Sequence, residues 1–202
     1  MLEFETRLWD VGLVHIAGVD EVGRGCLFGD VVAAAVILPA RLQLLGVDDS
    51  KKLSEKKREI SYELVLREAA AWGIGRVDAE HIDRINIKQA ARLAMRKAVE
   101  QLSIVPEQLL IDAERIDLGI AQTPIIKGDQ LSQSIAAASI VAKVTRDRLC
   151  LEWDRMYPEY GISIHKGYAT KLHRERIKEL GPTPLHRQSF LKNIYNEQLE
   201  LF

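Results

Sequence analysis

Apolar residues along this 202-residue chain follow two rhythms. Compact apolar runs at residues 13–20, 31–38, 72–77, 108–112 and 123–126 read as strands. The run at 31–38 is apolar at nearly every position, so it belongs in the middle of a sheet with both faces covered, and Pro39 closes it. In the fourth run Leu109 and Ile111 share one face, Leu110 and Asp112 the other. Between the runs the spacing turns helical. Leu53, Ile60, Leu64 and Val65 carry a helix to about residue 71, with Ser54 as N-cap and Glu55 in its first turn. Asp78-Ala79-Glu80-His81 starts a helix that leads into an alanine-rich one over 87–102. Lys127-Gly128-Asp129 is a turn, with Asp129 placed to cap a long helix over about 131–153. A further helix, Lys171–Leu180, is stopped by Gly181-Pro182, and a last segment begins at Ser189.

The chemistry lies between the first two strands, in Gly18-Val19-Asp20-Glu21-Val22-Gly23-Arg24-Gly25. Adjacent carboxylates at the end of a buried strand cost desolvation energy unless a cation or donors meet them. The glycines let the backbone bend sharply and let a ligand approach it. The pattern fits a divalent-metal site beside a turn that holds a polyanion or a sugar. It also fits a hairpin with solvated acids at its tip. Asp112 ends a second buried strand, and Asp147 stands on the long helix, as a fourth carboxylate or as a surface acid between Arg146 and Arg148. Ser50-Lys51 forms either a phosphate contact or a plain helix entry, and Tyr168 in His165-Lys166-Gly167-Tyr168 either stacks on a sugar or packs in a core.

Composition narrows these options. A 47% hydrophobic content is enough for the core of one domain. The longest apolar run, 31–38, is too short to span a bilayer. Cys26 and Cys150 are too few for a disulfide framework, which predicts a cytoplasmic protein. Net charge is only −1, but it is unevenly spread: residues 1–50 hold eight acids and three bases, residues 165–192 seven bases and two acids. An acidic end facing a basic arm suits a metal-dependent enzyme acting on nucleic acid.

Read together, Val19 to Gly25, Asp49-Ser50-Lys51-Lys52-Leu53-Ser54, Leu110-Ile111-Asp112, Lys127-Gly128-Asp129, the stretches 134–140 and 143–147, and His165-Lys166-Gly167-Tyr168 resemble ribonuclease HII, in this order, as do the closing Gly181-Pro182 and His186-Arg187-Gln188-Ser189-Phe190. The resemblance covers about residues 13–190. It implies an α/β RNase H-like fold, a mixed five-stranded sheet flanked by helices, with a C-terminal helical extension. The catalytic part would span 1–160 and the extension 161–197 of the same domain. The implied activity is cleavage of the RNA part of RNA–DNA hybrids and incision 5′ to a ribonucleotide embedded in duplex DNA. Asp20, Glu21, Asp112 and Asp147 match the family's acids for two Mg²⁺ or Mn²⁺ ions. Gly23-Arg24-Gly25 matches the segment that senses the ribose 2′-OH, and Tyr168 the tyrosine that packs on the next sugar. Ser50 and Lys51 match contacts to backbone phosphate, and Lys127, His165 and Lys166 join the expected substrate-binding set. The family usually has a small residue or Pro at Asp30 and Gly-Asn at Ala113-Glu114. Glu114 shares the face of Asp112 if the strand continues; Asp112 is the expected third acid. With about a dozen residues before the first strand, there is no room for the N-terminal domain of the related ribonuclease HIII.

The chain ends Gln198-Leu199-Glu200-Leu201-Phe202, which looks like a bacterial sliding-clamp-binding pentapeptide. Leu201 and Phe202 would fill an apolar pocket and Gln198 would hydrogen-bond at its rim, with Leu199 in the same candidate set. The same residues also suit a terminal helix turn packed on the domain. The expected enzyme is a monomer. A non-catalytic, clamp-recruited hybrid-binding adaptor is the alternative, and four clustered acids near phosphate speak against it.

Overall fold

The structure is a computed structural model, and it describes residues 1–44, 46 and 53–196. Five strands form one mixed sheet in the order β3-β2-β1-β4-β5. Strand β1 (Ile16–Val22) runs antiparallel to β2 (Val31–Ile37) and parallel to β4 (Gln108–Asp112). On the flanks β2 pairs antiparallel with β3 (Ala71–Val77), and β4 pairs parallel with β5 (Ala121–Ile125). Strand β1 begins and ends later than the apolar run suggests, so Asp20 and Glu21 sit inside the strand, paired with Ala34 and Ala33.

The period-2 rule sorts the core. Ala33, Ala35, Leu109 and Ile111 face helix α4 (Ile87–Glu100), through Ala90, Ala94, Met95 and Ala98. Ala34 and Val36 face the other way, onto α2 (Glu55–Glu68) and the long helix α6 (Gln133–Met156). Strand β2 is therefore buried on both faces, as its sequence implies. Helix α6 comes so close to β1 that a Cβ at Gly18 would collide with the Ser134 backbone. The small residues of α6 make this approach sterically feasible.

Several helix ends differ from the sequence reading. Ser54 does cap α2, accepting from Lys57 N–H. Helix α3 (Ala79–Ile85), capped by Asp78, is separated from α4 by Asn86, whose φ of 67° breaks the helix and whose side chain caps the next one. Asp129 does not cap the long helix. It is buried in a four-residue turn, α5 (Gly128–Leu131), and Ser132 accepts from Ile135 N–H instead. Helix α1 (Glu3–Asp10) was not foreseen. Its buried Glu5 accepts from Ser132 Oγ at 2.6 Å and Ser134 N at 2.9 Å, placing a carboxylate at the positive end of α6.

Helices α7 (Ile162–His165), α8 (Lys171–Leu180) and α9 (Gln188–Asn196) gather at the far end of α6. Phe28, Val32, Leu149, Trp153, Ile162, Ile177 and Leu191 share one apolar cluster, so the extension is packed onto the sheet. Asp83 of α3 accepts from Gln188 N–H and Ser189 N–H and so pins the start of α9. Among the described residues no helix is long and apolar enough to cross a membrane.

Candidate metal centre and nucleic-acid interface

Parallel pairing of β1 and β4 brings three predicted acids together. Asp20 is buried, 6% exposed, and its Oδ1 accepts Glu21 N–H at 2.7 Å. Ser139 of α6 hydrogen-bonds the same carboxylate. Asp112, the last residue of β4, accepts Gly128 N–H at 2.7 Å. Burial holds the Asp20 carboxyl well above the usual range, and the charges of Glu21 and Asp112 push it further. Burial also raises Glu21, partly opposed by Arg24, whose Nη1 lies 3.1 Å from Glu21 Oε1. Glu21 Oε2 is buried with no hydrogen-bond partner. Mutually repelling carboxylates with an unmet buried oxygen are the donor set a hard divalent cation takes. Among the described residues, no three His, Cys, Asp or Glu are placed so that they could hold an ion as they stand, so the acids would have to draw together on a cation.

Asp147 is engaged differently. It lies on α6 with Lys143 Nζ at 2.7 Å and Arg58 Nη1 at 3.6 Å. Its charge is felt by the Tyr168 phenol. Neither neighbour expected from the sequence holds it, because Arg146 turns into the core and Arg148 pairs with Glu59. The two other departures are resolved too. Asp30 is buried and paired with Arg76 at 2.8 Å, so it adds no free charge to the turn. Glu114 leaves the face of Asp112 because Ala113 has a φ of 50°, and it pairs with Arg92 at 2.8 Å.

The Gly23-Arg24-Gly25 turn exposes Arg24 and Gly25 and buries Gly23. Gly23 has a φ of 93°, and a Cβ there would strike the Arg146 side chain. Two fully buried arginines lie beneath the turn. Arg146 donates from Nε to the Asp30 carbonyl, from Nη1 to Lys166 and from Nη2 to Phe28, all within 3.0 Å. Arg187 donates from Nε to the Gly29 carbonyl at 2.9 Å and from Nη1 to the Arg24 carbonyl at 3.1 Å. Burial lowers the Arg187 pKa to about 10. Sequence reasoning missed both arginines: in a sequence they look like two more members of basic runs, and only their burial sets them apart.

The second turn is sewn to the first. Leu27 N–H donates to the Gly167 carbonyl at 2.8 Å, and Arg187 N–H to the Leu27 carbonyl at 2.8 Å. Lys166 has a left-handed backbone, and Tyr168 is 42% exposed beside it. His165, expected at substrate, is buried: Nε2–H donates to the Tyr160 carbonyl and Nδ1 accepts Gly167 N–H. It stacks on His173 at 4.1 Å between ring centroids. His186 Nδ1 accepts Thr183 N–H, so its proton sits on Nε2 and is donated to His173 Nε2; His173 then donates from Nδ1 to the Tyr168 carbonyl. Burial depresses His173 to about 4 and His186 to about 3. These rings support Tyr168 from within. Lys127 is exposed with a left-handed backbone next to Gly128. Ser50, Lys51, Gln198, Leu199, Leu201 and Phe202 lie outside the described residues.

Comparison with known proteins identifies the family and the fold. A model of the ribonuclease HII family matches residues 17–193. Ribonuclease HII of Alkaliphilus metalliredigens is 60% identical over 199 residues, covering 96% of this chain and 98% of its own. The Bacillus subtilis protein is 54% identical, covering 94% and 74%. Among solved structures, ribonuclease H2 from Pyrococcus horikoshii aligns with a TM-score of 0.75 at 25% identity, covering 90% of this chain and 97% of that one. Archaeoglobus fulgidus RNase HII, solved in complex with PCNA, gives 0.75 at 27% identity, covering 87% and 94%. At 21% identity, Bst-RNase HIII in complex with Mn²⁺ shares the fold with a TM-score of 0.71, covering 96% and 71%. The chain therefore belongs to the ribonuclease HII family, a divalent-metal-dependent family of RNase H-type endoribonucleases.

Proposed function

We propose that this enzyme cuts the RNA strand of RNA–DNA hybrids and incises duplex DNA on the 5′ side of a single ribonucleotide, leaving 3′-OH and 5′-phosphate ends, as a step in ribonucleotide removal. The observation that carries the reading is one juxtaposition. The acid group at Asp20, Glu21 and Asp112 adjoins an exposed Gly-Arg-Gly turn, and Leu27, just beyond that turn, is hydrogen-bonded to the turn bearing Tyr168.

Asp20, Glu21 and Asp112 would hold Mg²⁺ or Mn²⁺, with Asp147 joining once released from Lys143 and Arg58. Bound there, divalent ions supply activation of the attacking water and stabilisation of the leaving 3′ oxygen. The chain's own groups do the rest. Ser139 and Gly128 N–H aim the carboxylates of Asp20 and Asp112. Gly25 has open space where a Cβ would stand, so its backbone can approach a ribose 2′-OH, the group that separates RNA from DNA. Tyr168, held by His173, offers an aromatic face to the following deoxyribose, where an extra hydroxyl would clash. Lys127, Lys166 and the Ser50–Lys51 pair would meet phosphates.

The test is cleavage of an end-labelled duplex carrying one ribonucleotide. Metal-dependent incision on its 5′ side, absent on all-DNA duplex and in Asp20→Asn, is expected. Cutting on the 3′ side, or equal cutting of all-DNA duplex, rejects the reading.

The complex of the Archaeoglobus protein with PCNA also favours a sliding clamp as partner here, met through Gln198, Leu199, Leu201 and Phe202. Deleting the last five residues should abolish clamp binding and spare cleavage; binding that survives the deletion rejects the tail.

A further inference from the structure

Glu114 is an acid beside the metal group that the proposed chemistry does not use. Strand β4 stops at Asp112, and Ala113, with φ 50°, donates its N–H to the Ile125 carbonyl. This one kink swings Glu114 out of the strand's alternation and onto α4. There Oε2 accepts from Arg92 Nε at 2.9 Å and lies 2.8 Å from its Nη2, a two-pronged grip. Oε1 points the other way, 3.9 Å from Arg24 Nη1. That same nitrogen is 3.1 Å from Glu21 Oε1. Arg24 thus stands between two largely buried acids, one of which belongs to the metal group.

We propose that Glu114 is a positioning residue that takes over Arg24 when Glu21 turns to a divalent cation. The proposal rests on the reading of Asp20, Glu21 and Asp112 as metal acids. In the absence of cation, the guanidinium on Glu21 offsets part of the carboxylate repulsion. A cation arriving at Glu21 repels that guanidinium and competes for the same oxygen. Glu114, anchored by Arg92, gives Arg24 a second carboxylate within a short side-chain movement, so the backbone of the turn does not have to move. That backbone is held independently, through Arg187 on the Arg24 carbonyl. Without Glu114, Arg24 has only Glu21, and it competes with the metal.

The experiment is a Mn²⁺ titration, followed by electron paramagnetic resonance of the free ion, on wild type, Glu114→Gln, Arg24→Gln and the double variant. Glu114→Gln is expected to raise the Mn²⁺ Kd by about fivefold, the scale of a partly exposed ion pair. In the Arg24→Gln background, where no competitor remains, the same substitution should change Kd by less than about twofold. Equal weakening in both backgrounds would mean that Glu114 acts only through its charge, and it overturns the proposal, as does no weakening at all. If Glu114→Gln fails to fold, Glu114→Asp carries the test: it keeps the acid within reach of Arg92, withdraws it from Arg24, and should weaken Mn²⁺ binding in the same background-dependent way. Wild type that binds no Mn²⁺, or binding undisturbed by Asp20→Asn, overturns the metal reading itself.

Discussion

The acid group and the arginine brace beneath the Gly-Arg-Gly turn differ in what surrounds their charge: the two arginines are fully buried among backbone carbonyls, whereas buried Asp20 and half-buried Glu21 and Asp112 face one another. Arg146 meets three backbone carbonyls; Arg187 meets two and keeps one nitrogen, Nη2, without a partner. Their charge is dispersed over dipoles that hold two turns in place. Asp20, Glu21 and Asp112 instead repel one another, and Glu21 keeps an oxygen with no partner. A buried cation spread over backbone carbonyls fixes geometry, and clustered carboxylates of like charge favour a counter-ion. Under the proposed function the two regions divide the work: the brace shapes the turn that would read the sugar, and the acids would hold the ions that cut beside it.

The sharpest break of this contrast is to neutralise an acid. Asp20→Asn or Asp112→Asn should lower cleavage by about 10²–10³-fold, the scale of losing a group that stabilises transition-state charge. The same Asp20→Asn protein should unfold at a higher temperature than wild type in EDTA, because a repulsion is gone. An unchanged or lower unfolding temperature would remove the argument from repulsion. Breaking the brace should act the other way. Arg146→Leu strands the carbonyls of Asp30, Lys166 and Phe28 and should cost about 3 kcal/mol or more in urea unfolding. Arg146→Lys should recover only part of that, since one ammonium cannot reach three carbonyls.

Adding metal sharpens the comparison. At about a hundredfold excess over its Kd, Mn²⁺ should stabilise wild type by about 2.7 kcal/mol. For a chain of this size that raises Tm by about 5–10 °C. Asp20→Asn should show little of the shift; an equal shift in both would place the ion elsewhere.

A last contrast is in pH, where the two regions pull in opposite directions and wild type shows only their difference. Asp20 and Glu21 keep protons in the native state at pH values where the unfolded chain has lost them. Their contribution to stability therefore falls as pH rises from about 4 through their raised values. His173 and His186, lowered to about 4 and about 3 from an ordinary 6.5, are neutral in the fold. Their contribution is complete above about pH 6.5 and is lost as pH falls toward about 4, at up to about 1.4 kcal/mol per pH unit for each ring. The two trends partly cancel in wild type. Asp20→Asn should therefore show the steeper loss between about pH 6.5 and 4 in denaturant titrations. Parallel profiles for the two proteins would contradict the opposed titrations.

Local rules made much of this legible in the sequence. Period-2 alternation in Leu109 to Asp112 gave the core faces of β4, and the all-apolar run at 31–38 gave an interior strand buried on both faces, though the central position belongs to β1. The pairing of Asp20-Glu21 with a glycine turn marked the acid group, since few buried strands carry adjacent carboxylates without a task. Strand pairing, helix docking and burial are long-range, and no local pattern encodes them. Only the tertiary structure sends Arg146 and Arg187 inward, wires three histidines into the support of Tyr168, gives the cap of α6 to Ser132 and Glu5, and turns Glu114 away from Asp112. Each of these depends on which distant carbonyl, carboxylate or ring arrives alongside. The composition of the chain determined that there would be charges to place; the packing decided which of them lie among carbonyls and which crowd against like charge.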